Sequence, residues 1–400
     1  MSDIEGRIYF DHAATTPLDE EVFEKMRPYY TEIFGNADSP HSFGREAVRG
    51  VDAARDKVAE LIGAAPKEIY FTSGGSEADN QALRSAAAIG KRNGHMHIIS
   101  TAFEHHAILH TLEQLKAEGF SVTLLDVHEN GMITPEQVEA AIQPDTCLVT
   151  VMYANNEIGS ILPIAEIGAV CRKHHVLFHT DAVQAVGHIP ISVKNDNIDM
   201  LSLSAHKFHG PKGIGVLYAK KGVRLTSLIA GGAQERGKRA GTENIPAILG
   251  MAAALQDACD HMEENTRHCL ELRERLIAGL SKIPHSVLNG DREHRLPSNV
   301  HFCFEGIEGE SLLLSLDLKG VCGSSGSACT SGSLDPSHVL LAIGRPHEIA
   351  HGSLRLSLGE ENTMAEVDYM LQAIPEVVAY LRHMSPVWRD LESGKKSFLL

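Results

Sequence analysis

Lys207 and Asp181 are two residues whose types and positions could do chemistry together. Lys207 follows a strand-like apolar run that ends at Ser204, and Asp181 comes directly after an earlier run at residues 176–180. Ligands of open α/β sheets bind at the carboxyl ends of the strands, where such side chains meet. A lysine there can bond an aldehyde, and an acid can keep a pyridine nitrogen protonated. The pair therefore predicts pyridoxal phosphate as a cofactor.

Each of these residues also has an ordinary structural alternative. A surface position is the commonest fate of a lysine, and an aspartate after a strand is equally typical of a helix cap. The neighbours of Lys207, which include Ser204, His206 and a rigid turn at residues 210–213, favour a site over a solvated face. Gln184 lies one turn beyond Asp181, where its amide could contact the hydroxyl group of the cofactor ring.

A glycine-rich turn at residues 72–77 could hold the cofactor phosphate. Its sequence, Thr-Ser-Gly-Gly-Ser-Glu, follows a strand-like run and opens a helix-like one. Glycines let the backbone approach a phosphate, and a helix N-terminus offers unpaired N–H groups. An ordinary β-to-α turn with a serine cap has the same pattern, so the segment alone does not identify a phosphate site.

Arg355 and Cys329 are candidates for binding and attacking a substrate. Arg355 is a lone charge in the alternating run 353–358, where it could hold a carboxylate bidentately; a structural ion pair is the alternative. Cys329 lies in a stretch of small polar residues at 322–333, whereas cysteine is usually buried. A loop of this length could move a sulfur atom by about ten ångströms or more. Cys322 is a second candidate thiol, nearer the base of the loop.

The segment 104–106 contains a histidine, His105, that could stack on a flat ring. Metal binding or a helix cap is the alternative for this segment. His106 and His110 have the i, i+4 spacing that places two ligands on one face of a helix.

His347 and His351 match the H-E-x-x-H pattern of zinc proteases. That pattern needs a long helix and a third ligand beyond it. Pro346 and Gly352 flank the segment and limit any helix to about one turn. We therefore expect no metal site, and a zinc hydrolase built on these histidines is kept as an alternative from a different class of enzyme.

The chain has 400 residues and 43% apolar content, enough for one large core or two domains. Its net charge of −16 opposes binding to nucleic acid and anionic membranes, so a small molecule or a basic partner is expected. No apolar run approaches the roughly 20 residues of a membrane span, and the acidic first residues lack a signal-peptide pattern. The seven scattered cysteines indicate reduced thiols and a cytoplasmic location.

Strand-like and helix-like runs alternate along the first two thirds of the chain. This alternation predicts an α/β fold with a mostly parallel seven-stranded sheet. We expect a large cofactor-binding domain at residues 16–259. A smaller α+β domain would combine residues 1–15 with 260–400 and carry the Cys329 loop. The predicted strands of the large sheet are 69–72, 97–101, 121–126, 147–153, 176–180, 199–204 and 214–219; helices are predicted at 77–89, 108–117 and 164–174, and beyond the sheet at 263–280 and 364–384.

Taken together, these segments resemble the cysteine desulfurases of the NifS and IscS type, which are fold-type I pyridoxal phosphate enzymes of the class-V aminotransferase family. The resemblance runs from Tyr9 to Trp388, over nearly the whole chain. The motifs that carry it are residues 71–77, Asn-Asn-Glu-Ile-Gly at 155–159, His206-Lys207, and Ser-Gly-Ser-Ala-Cys at 325–329. Ser76 keeps a hydroxyl where many relatives have threonine, and His12 stands where asparagine or tyrosine is common.

The resemblance implies a role for each candidate residue. Lys207 would bond the cofactor, Asp181 would pair with its ring nitrogen, and His105 would stack on the ring and act as an acid or base. Arg355 would bind the substrate carboxylate, and Cys329 would be the nucleophile that forms a persulfide. The remaining implied contacts are to the phosphate, the ring hydroxyl or the substrate, and they involve Gly75, Ser76, Asn156, Gln184, Ser204 and His206.

The implied activity is the conversion of L-cysteine to L-alanine with transfer of the sulfur to an acceptor protein. That acceptor would be an iron–sulfur scaffold or a thiolation relay. Relatives use the region after Trp388 to dock the acceptor, and the tail of this chain departs from theirs, so the resemblance leaves the identity of the acceptor open. Thr242 would reach the phosphate of a neighbouring subunit, which implies a homodimer with shared sites. Selenocysteine lysis or transamination on the same fold is the alternative, and the cysteine on its loop argues against transamination.

Overall fold

The computed structural model describes residues 6–325 and 336–400, and Cys329 lies outside these ranges. The strands of the described chain form three sheets. Their bounds are β1 Ile8–Tyr9, β2 Ile69–Thr72, β3 His97–Thr101, β4 Ser121–Leu125, β5 Thr146–Thr150, β6 Leu177–Asp181, β7 Met200–Ser204, β8 Gly215–Ala219, β9 Ser286–Leu288, β10 Asn299–Phe304, β11 Val321–Cys322 and β12 Ser353–Ser357.

Helices connect and cover these strands. Within residues 6–325 and 336–400, no helix combines the length and apolar character needed to cross a membrane. The helices are α1 Glu20–Met26, α2 Pro28–Thr31, α3 Ser42–Ile62, α4 Gly75–Asn93, α5 His106–Ala117, α6 Pro135–Ala141, α7 Ile164–Lys173, α8 Gln234–Gly237, α9 Ile245–Asp260, α10 Met262–Leu280, α11 Gly309–Leu318, α12 His338–Ala342, α13 His347–Ala350, α14 Met364–Met384 and α15 Pro386–Glu392.

The largest sheet has seven strands in the order β2-β8-β7-β6-β5-β3-β4. Neighbouring strands are parallel except in the two pairs that include β8, which runs against both β2 and β7. This confirms the predicted α/β fold with a mostly parallel seven-stranded sheet. Parallel pairing brings the ends of β6 and β7 to the same edge, where Asp181 lies opposite Ser202 in the strand register.

Both faces of this sheet are buried. Successive residues of a strand point to opposite faces, so Ile98 packs in a core with helices α4 and α5, whereas Ile99 belongs to the core with α3 and α9. Helix α3 was not predicted from the sequence. Its buried residues nevertheless recur at helical spacing on one face, and most of them are alanine or glycine.

A second sheet, β12-β10-β9, is antiparallel, and β1 pairs with β11 nearby. These elements share their own core with α10 and α14, in which Phe10, Leu272, Phe302, Leu354 and Met370 are buried. We propose that they form the smaller domain, with the boundary near residue 260. The separate core and the return of the N-terminal strand β1 to it support this division.

Candidate functional site

Lys207 ends a short 3-10 turn, Ala205–Lys207, which follows β7 directly. The turn directs the side chain towards the segment after β1. There the Lys207 Nζ donates hydrogen bonds to the backbone carbonyl oxygens of Ala13 at 2.6 Å and Ala14 at 2.8 Å. The amine is therefore held by neutral oxygens, at a position where a reactive aldehyde could meet it.

Asp181 is the last residue of β6 and is buried. Its Oδ1 accepts a hydrogen bond of 2.9 Å from the backbone N–H of Val183. Burial raises the pKa of the Asp181 carboxyl, and His105 and Lys207 act in the opposite direction. A buried carboxylate is costly without a cationic partner. A protonated pyridine nitrogen would supply that partner.

A cavity of about 310 Å³ brings the predicted site residues together. Of the residues predicted to bind cofactor or substrate, all but Thr242 line it. The lining consists of Ala13, Ala14, Gly75, Ser76, Asp79, His105, Met152, Ala154, Asn156, Asp181, Val183, Gln184, Ser204, His206, Lys207 and Arg355.

The N-terminus of α4 forms one wall of this cavity through Gly75 and Ser76. A Cβ atom at Gly75 would lie only 2.6 Å from Val183 Cγ2, so a larger residue there would require Val183 or the helix start to move. The first N–H groups of a helix lack partners within the helix and attract anions. This wall fits the phosphate of the predicted cofactor.

Arg355 enters the cavity from β12 of the second sheet, and its side chain is only 4% exposed. Its Nη1 donates to the backbone oxygen of Asn156 at 2.9 Å, and its Nη2 donates to Asp11 Oδ1 at 3.0 Å. The Nε atom has no hydrogen-bond partner among the described residues. The structural ion pair considered for Arg355 is present, and the same guanidinium also faces the cavity.

Histidines and an amide complete the lining. The His105 Nδ1 accepts a 3.1 Å hydrogen bond from the N–H of Ala107, so His105 caps α5 while its ring borders the cavity. Burial lowers the pKa of His206 to about 4, helped by Lys207, so this ring is neutral at pH 7. The Gln184 Nε2 donates to Ala13 O at 3.0 Å, which ties the segment after β1 to the residues beyond Asp181.

Asp79, on α4, is a buried acid of the cavity that the sequence analysis missed. Burial raises its pKa well above the usual value, and the nearby Asp181 raises it further. Its Oδ1 lies 3.7 Å from the Nε2 of His179, whose pKa burial lowers to about 3. Local sequence patterns do not reveal Asp79, because an acid at a buried helical position looks the same in the sequence as an exposed one.

Two predicted residues of the described ranges lie away from the cavity, and one predicted residue falls outside those ranges. Thr242 is exposed on the segment between α8 and α9 and does not line the cavity. Cys329, the predicted nucleophile, lies outside the described residues. Cys322 ends β11, where its Sγ is 4.0 Å from Asp317 Oδ1, and it does not line the cavity either.

The predicted histidine pairs do not form a three-ligand group in the described ranges. His347 begins the four-residue helix α13, as the flanking Pro346 and Gly352 predicted, and its ring centroid lies 4.5 Å from that of His351. The rings of His106 and His110 lie 5.0 Å apart on α5. The ring of His338 lies 4.6 Å from that of His106, but among residues 6–325 and 336–400 neither pair has a third ligating atom within 4.8 Å of both partners.

The cavity therefore fits pyridoxal phosphate by the chemistry of its walls. Lys207 would bond the aldehyde, Asp181 would face the ring nitrogen, and Gly75 and Ser76 would hold the phosphate. When bound, the cofactor supplies an electron sink for charge that develops at the substrate Cα.

Comparison with known proteins agrees with this geometry. Residues 8–370 match the model of the family described as aminotransferase class-V, and the chain belongs to that family. It is 53% identical over 393 residues to a protein named cysteine desulfurase IscS from Clostridium botulinum, covering 98% of this chain and 99% of the relative.

Two solved structures are similar throughout. A NifS-like protein matches with a TM-score of 0.88 and 39% identity, covering 94% of this chain and 100% of the other. A structure titled SspA in complex with cysteine matches with a TM-score of 0.79 and 35% identity, covering 89% of this chain and all of the other. These findings confirm the predicted family, the fold-type I architecture and the dependence on pyridoxal phosphate.

Proposed function

We propose that this enzyme is a cysteine desulfurase that carries the sulfur of L-cysteine as a persulfide on Cys329. The full-length relative at 53% identity confirms the desulfurase activity, and the similar structure of SspA in complex with cysteine supports L-cysteine as the substrate. The observation that carries the mechanism is the convergence of Lys207, Asp181 and Arg355 on one cavity. The roles of the individual residues below are our proposal.

Arg355 would bind the substrate carboxylate. Its guanidinium faces the cavity but already pairs with Asp11 at 3.0 Å. The carboxylate would therefore compete with Asp11 for one side of the guanidinium, while the Nε that lacks a partner among the described residues offers a further donor. Bidentate binding of this kind orients an amino acid as well as holding it.

Lys207 would move the proton at the substrate Cα. Its amine lies 2.6 Å from the Ala13 carbonyl oxygen, a contact that keeps the side chain in the cavity once it is not bonded to the cofactor. Asp181 would keep the ring nitrogen of the cofactor protonated and so favour loss of this proton. His105, at the cavity wall, would take the proton of the substrate thiol.

Cys329 would attack the sulfur of the bound substrate as a thiolate. A sulfur–sulfur bond forms and the Cβ–sulfur bond breaks, and its electron pair is left on the Cβ side and takes up a proton. The products are L-alanine and an enzyme persulfide, so no external oxidant is needed. The position of Cys329 in a run of small polar residues supports this role, because the sulfur must later reach an acceptor.

Three further features of the proposal concern partners and location. We infer an acceptor protein that takes the persulfide sulfur, either an iron–sulfur scaffold or a thiolation relay. We also infer a homodimer in which exposed Thr242 contacts the cofactor phosphate of the other subunit. A cytoplasmic location is supported by the unpaired cysteines among the described residues, since reduced thiols are typical of that compartment.

The test follows the protein spectrum and both products. Purified protein should absorb as a pyridoxal phosphate enzyme, shift its spectrum on addition of L-cysteine, and release alanine and sulfide when a reductant is present. Cys329→Ala should still show the spectral shift but form no persulfide, as judged by intact-protein mass. Undiminished alanine and sulfide formation in this variant would contradict the role of Cys329, and steady transamination would identify an aminotransferase.

A further inference from the structure

Outside the cofactor cavity, three side chains from distant parts of the chain converge. One ligating atom each from His12, His209 and Glu361 lie within 4.8 Å of one another. They come from the segment after β1, the turn after Lys207 and the loop after β12. Among residues 6–325 and 336–400, they form the one such group of three metal-ligating side chains.

His12 is the buried member of this cluster, with a side chain only 6% exposed. Neither of its ring nitrogens has a hydrogen-bond partner among the described residues. Its closest acid is Glu361, whose Oε1 lies 3.6 Å from His12 Nε2. A buried polar group without a partner costs about 1–3 kcal/mol, so an orphaned ring of this kind indicates a bound species.

Gly359 makes room for the cluster. A Cβ atom at this position would overlap Glu361 Oε2 and lie 2.5 Å from His12 Cε1 and 2.8 Å from His12 Nε2. Any larger residue would therefore fill the space between the two candidate ligands. A cavity of about 60 Å³ adjoins this space, lined in part by His12, His209 and Glu360, which is enough for an ion and a water molecule.

Glu360 adds a second carboxylate beside the cluster. Its Oε1 lies 3.0 Å from His209 Nε2. This contact raises the pKa of His209, so an ion bound by His209 would have to displace a proton from that ring. Glu360 and Glu361 together carry two negative charges, which one divalent cation would neutralise. The net charge of −16 also raises the local concentration of cations.

The donor set selects the type of ion. Two imidazoles and a carboxylate suit zinc and similar transition metals, whereas calcium and magnesium prefer oxygen ligands alone. Ligands of a tetrahedral zinc ion lie roughly 3.3 Å apart. His12 and Glu361 are already 3.6 Å apart, and the Glu361 side chain is 47% exposed and able to adjust. We propose that His12, His209 and Glu361 bind one divalent transition-metal ion of the zinc type.

An ion at this site would link both domains close to the cofactor lysine. His209 is two residues beyond Lys207, and His12 precedes the Ala13 and Ala14 carbonyls that hold the lysine amine. The ion would therefore fix the turn that carries Lys207 to the loop after β12. This site departs from the expectation of no metal, which considered only histidine pairs close in sequence.

The experiment titrates Zn²⁺ into chelator-treated holoenzyme, without L-cysteine, because free thiols bind zinc. We expect one tightly bound Zn²⁺ per chain by elemental analysis and calorimetry, and a rise in the thermal unfolding midpoint as the site fills. His12→Asn and Glu361→Gln should each weaken binding by at least about tenfold and remove the rise in the midpoint.

Two controls separate this site from other zinc-binding groups. A variant with His347→Ala and His351→Ala, and a Cys329→Ser variant, should both keep the wild-type affinity and stoichiometry. The proposal is overturned if chelator-treated wild type takes up no zinc, if His12→Asn binds as the wild type does, or if either control loses the ion. Circular dichroism of each variant would establish that it is folded.

Discussion

The Nη2 atom of Arg355 lies 3.0 Å from Oδ1 of Asp11, so the guanidinium that faces the cofactor cavity is already paired with a carboxylate. Arg355 belongs to β12 and Asp11 follows β1, and the two strands are brought together in the second core. The pair holds the arginine in place before substrate arrives. It also means that a substrate carboxylate would exchange one charged partner for another, rather than meet a solvated arginine.

This arrangement predicts opposite effects for the two residues. Arg355→Lys should lower kcat/KM for L-cysteine by about 10- to 100-fold, because a lysine cannot form the bidentate contact. Asp11→Asn keeps the arginine and removes its competing charge, so KM should stay the same or fall. Initial rates of alanine formation over a range of cysteine concentrations measure both. A larger rise in KM for Asp11→Asn than for Arg355→Lys would contradict the assignment.

The helix start at Gly75 predicts a steric effect on cofactor binding. Gly75→Ala places a Cβ atom 2.6 Å from Val183 Cγ2, so either Val183 or the start of α4 must shift. We expect the affinity for pyridoxal phosphate to fall by about tenfold or more, because phosphate contacts depend on the position of the helix N-terminus. Ser76→Thr is the matched control, since it keeps the hydroxyl. Absorbance titration of each cofactor-free variant with pyridoxal phosphate measures the two affinities. Equal affinities would contradict the proposal that Gly75 and Ser76 hold the phosphate.

We expect a substitution of Asp181 to lower the activity of the enzyme without lowering its stability. Asp181→Asn removes the charge that would keep the ring nitrogen protonated, so kcat should fall by roughly 100-fold. In the cofactor-free protein the same change should not lower the free energy of unfolding, because burial already raises the pKa of this carboxyl and disfavours its charge. Urea unfolding and single-turnover kinetics measure the two effects. A loss of stability without a loss of rate would make Asp181 a structural residue.

Glu104 predicts a pH dependence of stability. It is fully buried beside Thr101 and Met152, and burial raises its pKa to about 8. Between about pH 4.5 and pH 8, Glu104 is protonated in the folded state and ionised in the unfolded state. Its contribution to the free energy of unfolding therefore falls as the pH rises through that window. Glu104→Gln mimics the protonated form and should remove this contribution. Urea unfolding of both proteins at about pH 5 and pH 9 checks it.

If the interpretation of Glu104 is right, the free-energy difference between the variant and the wild type shifts in favour of the variant at the higher pH. A difference that does not change with pH would show that Glu104 is ionised in the folded protein. Other titrating groups cancel in this comparison, because both proteins share them.

Much of the fold followed from local patterns in the sequence. The strands β2, β3 and β7 form where short apolar runs end at polar or glycine residues, and helix α14 covers the predicted residues 364–384. The strand predicted at 147–153 ends earlier, at Thr150, where the chain leaves β5. Its apolar run continues beyond the strand because Val151 and Met152 stay buried outside the ladder. Apolar runs report burial, and burial does not distinguish a strand from a buried loop.

By itself, the sequence determined the class of fold, because strand-like and helix-like runs alternate, and the chemistry, because the motifs around Lys207, Asp181 and Cys329 together resemble one family. It could not determine that β8 runs against its neighbours, since direction depends on which strands pair. The tertiary structure alone decided that Arg355 meets Asp11 and that His12, His209 and Glu361 converge. Such contacts join residues hundreds of positions apart, and local patterns of burial contain no information about them.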